Sequence, residues 1–123
     1  MKALLWVVQV LLAVAFLAHG VMLLFPPASV AVQMNAMLPR WFQLFLGIAE
    51  IAAAVGITVP GWTRVQPRLV PMAALGLVIV MVSATALHAS RGEYSSALTT
   101  VVLMLMAAFV AWQRRHDTHR LPR

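Results

Sequence analysis

The sequence predicts an all-α integral membrane protein: an antiparallel four-helix bundle with a short interfacial amphipathic helix between the first and second spans. Three observations predict it. The chain of 123 residues is 63% hydrophobic and 10% charged, whereas a soluble domain averages about 45–50% apolar and about 25% charged. A domain this small leaves much of its surface in contact with solvent, so the apolar excess cannot be hidden in one core and the solvent must be largely lipid. Four apolar runs approach the roughly 20 residues that cross a bilayer, and breaks rich in Pro, Gly and Arg separate them. Finally, the basic residues divide unevenly between alternate breaks.

The first span is expected over residues 3–25. Lys2 and the small Ala18 resemble parts of a cleaved leader, but the run continues past that point to Phe25, so a retained helix is expected. Pro26-Pro27 ends it, because proline removes a donor and disfavours helix in the residue before it. Within residues 29–38, Val30, Met34, Met37 and Leu38 fall at i, i+4, i+7 and i+8, the spacing of an amphipathic helix. It is too short to span, so it is placed in the interface, with Ser29 as its expected cap. The second span covers residues 42–59, preceded by Trp41 at headgroup level and closed by Pro60-Gly61. Ala49/Ala53 and Ala52/Gly56 give it small residues at i, i+4, which allow close helix approach. The third span covers residues 69–89, with Pro71 in its first turn, where a missing N–H is tolerated. Ser90–Tyr94 forms a polar turn and the fourth span covers residues 96–112, leaving Gln113–Arg123 as a basic, frayed tail. A single four-span domain over residues 1–123 accounts for the chain.

Four spans put both termini on one side. That side collects seven basic residues, Lys2, Arg64, Arg68, Arg114, Arg115, Arg120 and Arg123, against two, Arg40 and Arg91, on the other. By the positive-inside rule the termini are expected in the cytoplasm, in a bacterial-type cytoplasmic (inner) membrane. The same distribution argues against nucleic acid as the partner of the +6 net charge, because no basic stripe forms on an amphipathic element. The absence of cysteine removes thiol redox chemistry, disulfides and cysteine-ligated clusters.

One stretch concentrates the chemistry. Leu44–Gly56 is apolar and rich in small residues, and carries Glu50 near its middle. Only three acidic residues occur in the chain, and a carboxyl within a span is costly unless neutral or paired, which makes it a functional candidate. Depth arithmetic at 1.5 Å per residue puts His19 about 9 Å below the outer end of its span and Glu50 about 12 Å. Ser83, Thr85 and Thr100 come within about 6–9 Å of theirs, and His88 near the surface. A polar layer is therefore expected in the outer half, with a His19–Glu50 contact able to share one proton. Glu50 and His19, with Thr85 and His88, are the candidate ligand-binding or proton-handling residues. Three readings stay open for the pair: a structural clamp between the first two spans, a ligand or proton site, and a contact for a partner protein. No catalytic residue and no metal set is assigned. Serine and threonine in membrane helices often bond their own backbone, the eight methionines suit gap filling better than a metal path, and haem ligation by His19 and His88 is disfavoured by their different depths.

Several of these segments resemble the DoxX-like family of small four-helix membrane proteins: His19–Pro27, Gln33–Leu38, Phe45–Gly56, Pro71–Val82, and His88 with Arg91–Glu93. The Leu-Gly-Ile-Ala-Glu segment at Leu46–Glu50 is the most specific of them. Members of the wider family are described as a subunit of a terminal quinol oxidase, as part of thiosulfate:quinone oxidoreductase, and as a component of a membrane oxidoreductase complex; distant animal relatives act as receptor-assembly chaperones. Many members carry a lysine shortly after the glycine that ends the first span. Gly20–Phe25 has none here, with His19 as its candidate substitute. The resemblance implies an accessory component of membrane redox metabolism, whose outer-half pocket takes a quinone-like lipophile and whose lid is the segment 29–38. No electron carrier is built in, so catalysis would need a membrane redox partner protein; the cofactor is not specified. A non-enzymatic assembly factor using the small faces around Ala107, Ala108 and Ala111 is the alternative, and a small transporter a third. The lipid bilayer is the one partner expected on every reading, and a homo-oligomer is compatible with all of them.

Overall fold

The computed structural model describes residues 2–119 and holds five helices among them: α1 (Lys2–Leu24), α2 (Ala28–Met37), α3 (Arg40–Thr63), α4 (Leu69–Ser90) and α5 (Tyr94–His119). The four long helices are each long and apolar enough to cross a membrane. They close a ring: α1 packs on α3, α3 on α4, α4 on α5, and α5 back on α1. Buried positions run Leu5, Gln9, Leu12, Phe16 along α1, Gly47, Glu50, Ala54, Ile57 along α3 and Val70, Ala74, Leu77, Met81 along α4. This alternation of four and three is the seam of antiparallel bundle packing. Gln9, Gln43 and Glu50 therefore occupy core positions, not the edge of the bundle.

The outside is as apolar as the inside. Val14, Phe45, Ile48, Ile79 and Leu105 are each at least 60% exposed, an arrangement that is stable against hydrocarbon and not against water. Exposed aromatics mark both ends: Trp41 and Tyr94 at the end carrying α2, Trp62 and Trp112 at the end carrying the termini. Trp41 and Trp62 are separated by about 31 Å of helix rise, close to the roughly 30 Å of hydrocarbon in a bilayer. Such aromatic belts sit at headgroup level.

α2 has no buried residue and lies off the bundle. Its half-buried positions, Val30, Ala31, Met34 and Met37, follow the stripe expected from the sequence. Its start differs. Helix begins at Ala28, Pro27 precedes it without a side-chain cap, and Ser29 lies inside the first turn. Proline already supplies the entering φ, and its carbonyl accepts from the N–H groups of Val30 and Ala31 at 2.9 Å each.

Two helices run further than expected. α3 passes through Pro60 and stops at Thr63, where Arg64 turns into the left-handed region with φ 60°. Pro60 removes the N–H that would bond Gly56 O one turn back; on neighbouring carbonyls Gln9 Nε2 donates to Ile57 O, and Thr63 Oγ1 to Val59 O at 2.9 Å. α5 continues past Trp112 to His119, so residues 113–119 of the expected tail are helical; Arg120 and Arg123 lie outside the described residues. Arg114 folds back onto Gln9, and His116 and His119 near the helix end suit its dipole.

Candidate functional site

The site starts with two glycines. Gly20 of α1 and Gly47 of α3 meet backbone to backbone: a Cβ on Gly20 would lie 2.9 Å from Gly47 O, and one on Gly47 would lie 2.9 Å from Gly20 O. That crossing brings the helices as close as backbones allow. His19 precedes Gly20, and Glu50 follows Gly47 by one turn on the same face. At this separation the side chains meet, and His19 Nδ1 lies 2.6 Å from Glu50 Oε2.

The two partners differ in exposure. Glu50 is 1% exposed, while the His19 side chain is 49% exposed on the outer face of α1. Glu50 sits about 15 Å of helix rise from the start of α3, deep within the span. Burying a lone carboxylate there is costly, and His19 is the group that removes the penalty, by giving a proton or sharing one. Among the described residues every buried side-chain nitrogen or oxygen has a hydrogen-bond partner.

Thr85 and His88 take other partners. Thr85 Oγ1 donates to Met81 O at 2.7 Å and lies 2.7 Å from Thr100 Oγ1, joining α4 to α5. His88 Nδ1 lies 2.5 Å from Glu93 Oε2. Here Gly92 adopts φ 72°, Glu93 N donates to His88 O at 2.9 Å and Gly92 N to Ala89 O at 3.1 Å. These are the two bonds of a Schellman helix end. His88 and Glu93 occupy the positions where that motif usually has a hydrophobic contact, and their bond replaces it. Ser83 is exposed and bonds Ile79 O of its own helix at 3.0 Å. The expected single polar layer is thus a set of separate pairs on different seams of the bundle.

Two clusters went unforeseen. Gln43, fully buried, donates to Asn35 Oδ1 at 3.0 Å and Leu38 O at 2.8 Å, and Arg40 donates to Leu23 O at 2.8 Å and Leu24 O at 2.6 Å. Together they cap α1 and hold α2 to α3. At the other end Gln9 accepts from Arg114 Nε at 2.8 Å and Nη2 at 2.5 Å, with the guanidinium 4.9 Å from the centre of the Trp6 ring. The sequence signal was a glutamine in the core register of each of the first two spans, at Gln9 and Gln43.

An apolar groove of about 450 Å³ is lined by Trp6, Val10, Thr58, Val59 and Trp62. It lies toward the termini, so it is not the outer-half pocket expected beside Glu50; none of its residues belongs to the dyad. Ala107, expected on a free small face, is fully buried in the core. Among the described residues no group of three or more metal-ligating side chains is assembled.

No curated protein and no solved structure matches the chain. A family model does. The DoxX-like model matches residues 7–110, from the second turn of α1 to about two-thirds of the way along α5, and takes in both members of the dyad and both glycines of the crossing. The protein is a multi-pass membrane protein of four long helices, and it belongs to the DoxX-like family.

Proposed function

We propose that this protein is an accessory component of membrane redox metabolism that binds a quinone-like lipophile at the His19–Glu50 dyad. The observation that carries the reading is the asymmetry of the pair: Glu50 is enclosed, and its partner His19 is left half exposed on a face otherwise made for lipid. A clamp between helices is served best by burying both partners. A ring half in the bilayer offers a polar contact to a molecule arriving laterally from it. Glu50 acts through His19, as the carboxylate that orients an imidazole. Thr85 and His88, engaged with Thr100 and Glu93, serve the bundle's framework on this reading.

The membrane is a bacterial-type cytoplasmic membrane and the termini face the cytoplasm. The support is the seven-to-two distribution of basic residues. The two on the α2 side are also engaged with backbone carbonyls, Arg40 with Leu23 and Leu24 and Arg91 with Met37 at 3.3 Å.

Purification in mild detergent, lipid extraction and mass spectrometry test the function. The expected result is a stoichiometric quinone that is lost in Glu50→Gln while the variant's helical content and elution are unchanged. An empty protein that co-purifies with another membrane protein would replace this reading with the assembly-factor one.

A further inference from the structure

We infer that the outward nitrogen of His19 is a hydrogen-bond donor, so that the site takes lipophiles whose polar head is an acceptor, a carbonyl in preference to a hydroxyl. The inference rests on the ligand reading above and adds the chemistry of the head. Nδ1 of His19 faces the enclosed carboxyl of Glu50 at 2.6 Å and the side chain is half exposed, so Nε2 is the ring nitrogen left for a ligand. Among the described residues only Nδ1 of that ring is hydrogen-bonded.

A contact of this length between two electronegative atoms needs a proton between them, which leaves four arrangements. The carboxylic acid donates to a neutral ring, the carboxylate accepts from a doubly protonated ring, the carboxylate accepts from a neutral ring, or the carbonyl oxygen of the carboxylic acid accepts from a neutral ring. In the first two Nε2 carries a hydrogen and the pair is net neutral: a neutral imidazole has one N–H and one bare nitrogen, and an imidazolium has two N–H groups. The third leaves Nε2 bare and places a net negative charge inside the span. The fourth leaves Nε2 bare without net charge, but its acid O–H is then on Oε1, which bonds nothing among the described residues, and a stranded polar hydrogen there is costly.

Nothing around the dyad offsets such a charge. Gly20, Gly47 and Ile51 pack at the crossing. Among the described residues Glu50 pairs with no lysine or arginine. Arg40, about 15 Å away along α3, is committed to the carbonyls of Leu23 and Leu24. An uncompensated charge in hydrocarbon is costly, and so is a stranded acid O–H, so the first two arrangements dominate and Nε2 carries a hydrogen.

A carbonyl accepts that hydrogen and leaves nothing unsatisfied. A hydroxyl that accepts it still has its own O–H to place, and the helical neighbours of His19, at Ala15, Phe16, Met22 and Leu23, offer no side-chain acceptor stronger than the Met22 thioether. One unsatisfied polar hydrogen corresponds to a preference of about tenfold for the carbonyl head.

Two measurements on the full chain in lipid nanodiscs test this. Nitrogen NMR of protein labelled at its four histidines, with the His19 signal assigned by its loss in His19→Gln, reads the protonation of Nε2 at neutral pH. The expected result is a protonated Nε2, with a bare Nε2 population appearing in Glu50→Gln, whose amide oxygen can accept from Nδ1–H without charge. A bare Nε2 in the wild type overturns the inference. Titration with a decyl-substituted benzoquinone and its hydroquinone reads the head: about tenfold tighter binding of the oxidised form is expected, and equal or tighter binding of the reduced form overturns the acceptor preference. A protonated Nε2 in a protein that binds neither head leaves the donor assignment standing and overturns the ligand reading.

Discussion

Gly20 and Gly47 each stand where a methyl group would lie 2.9 Å from the other's carbonyl oxygen. The crossing they permit sets the distance between α1 and α3 at the level of His19 and Glu50. Gly47→Ala or Gly20→Ala forces the helices apart, at a cost of about 1–3 kcal/mol for overpacking, and lengthens the dyad contact. Thermal unfolding in detergent should show a lowered midpoint for both. Gly76→Ala is the control: nothing lies within 4 Å of its added methyl, so it should be neutral or raise stability by up to about 1 kcal/mol. A lowered midpoint in Gly76→Ala equal to that of Gly47→Ala would sink this account of the crossing.

The Gln9–Arg114 contact ties α1 to the last turns of α5 and supplies a donor to the carbonyl of Ile57 beside Pro60. Gln9→Leu should lower stability by about 1–3 kcal/mol, because it removes the amide oxygen that takes two bonds from the half-buried Arg114 guanidinium and the donor to Ile57 O. Arg114→Lys should recover little, since a single ammonium cannot reproduce the two-pronged approach to one amide oxygen. A double-mutant cycle between the two positions should return a coupling of about 0.5–3 kcal/mol; independent effects would show that the contact contributes nothing.

Arg40 holds the end of α1 through Leu23 and Leu24, and Gln43 holds Asn35 of α2. With no buried residue of its own, α2 depends on these polar ties. Arg40→Ala should raise amide exchange across α2 and the last turn of α1 while leaving α4 and α5 as they were. Uniform acceleration across all helices, or none in α2, would contradict this role.

His88 and Glu93 replace the hydrophobic contact of a Schellman helix end. His88→Leu alone should cost about 0.5–1.5 kcal/mol, and the double substitution His88→Leu/Glu93→Leu should recover most of it. Ligand retention should be unaffected by either, which separates this pair from the dyad. Loss of the bound lipophile in the double variant would return His88 to the binding site.

The four spans, the interfacial helix and the His19–Glu50 contact were legible in the sequence, because depth along a helix follows from counting residues and a lone carboxyl in an apolar run needs a partner. What counting cannot give is direction around the axis. Successive residues turn by about 100°, so Ser83 and Thr85 stand about 200° apart and cannot both face the bundle; Ser83 faces outward and Thr85 meets Thr100. His88, near the outer surface by its depth, reads as a candidate ligand contact alongside Glu50, whereas its bond is to Glu93 in the turn. Arg40 and Arg114 counted as flanking charges, and only the packed helices reveal that their long side chains reach back to Leu23, Leu24 and Gln9. Pro60 reads as an end because proline lacks the N–H of a helix interior, yet α3 runs on through it to Thr63.

The central claim is that a lipophile bound at His19 is felt by Glu50. Infrared difference spectroscopy of the protein in nanodiscs, with and without saturating quinone, tests it most directly, the Glu50 carboxyl band being assigned by its loss in Glu50→Gln. A ligand accepting from Nε2–H changes how strongly the ring holds the shared proton, so the band should shift on adding quinone, and the shift should vanish in His19→Ala. A carboxyl band that stays unchanged at saturation in the wild type would contradict the account.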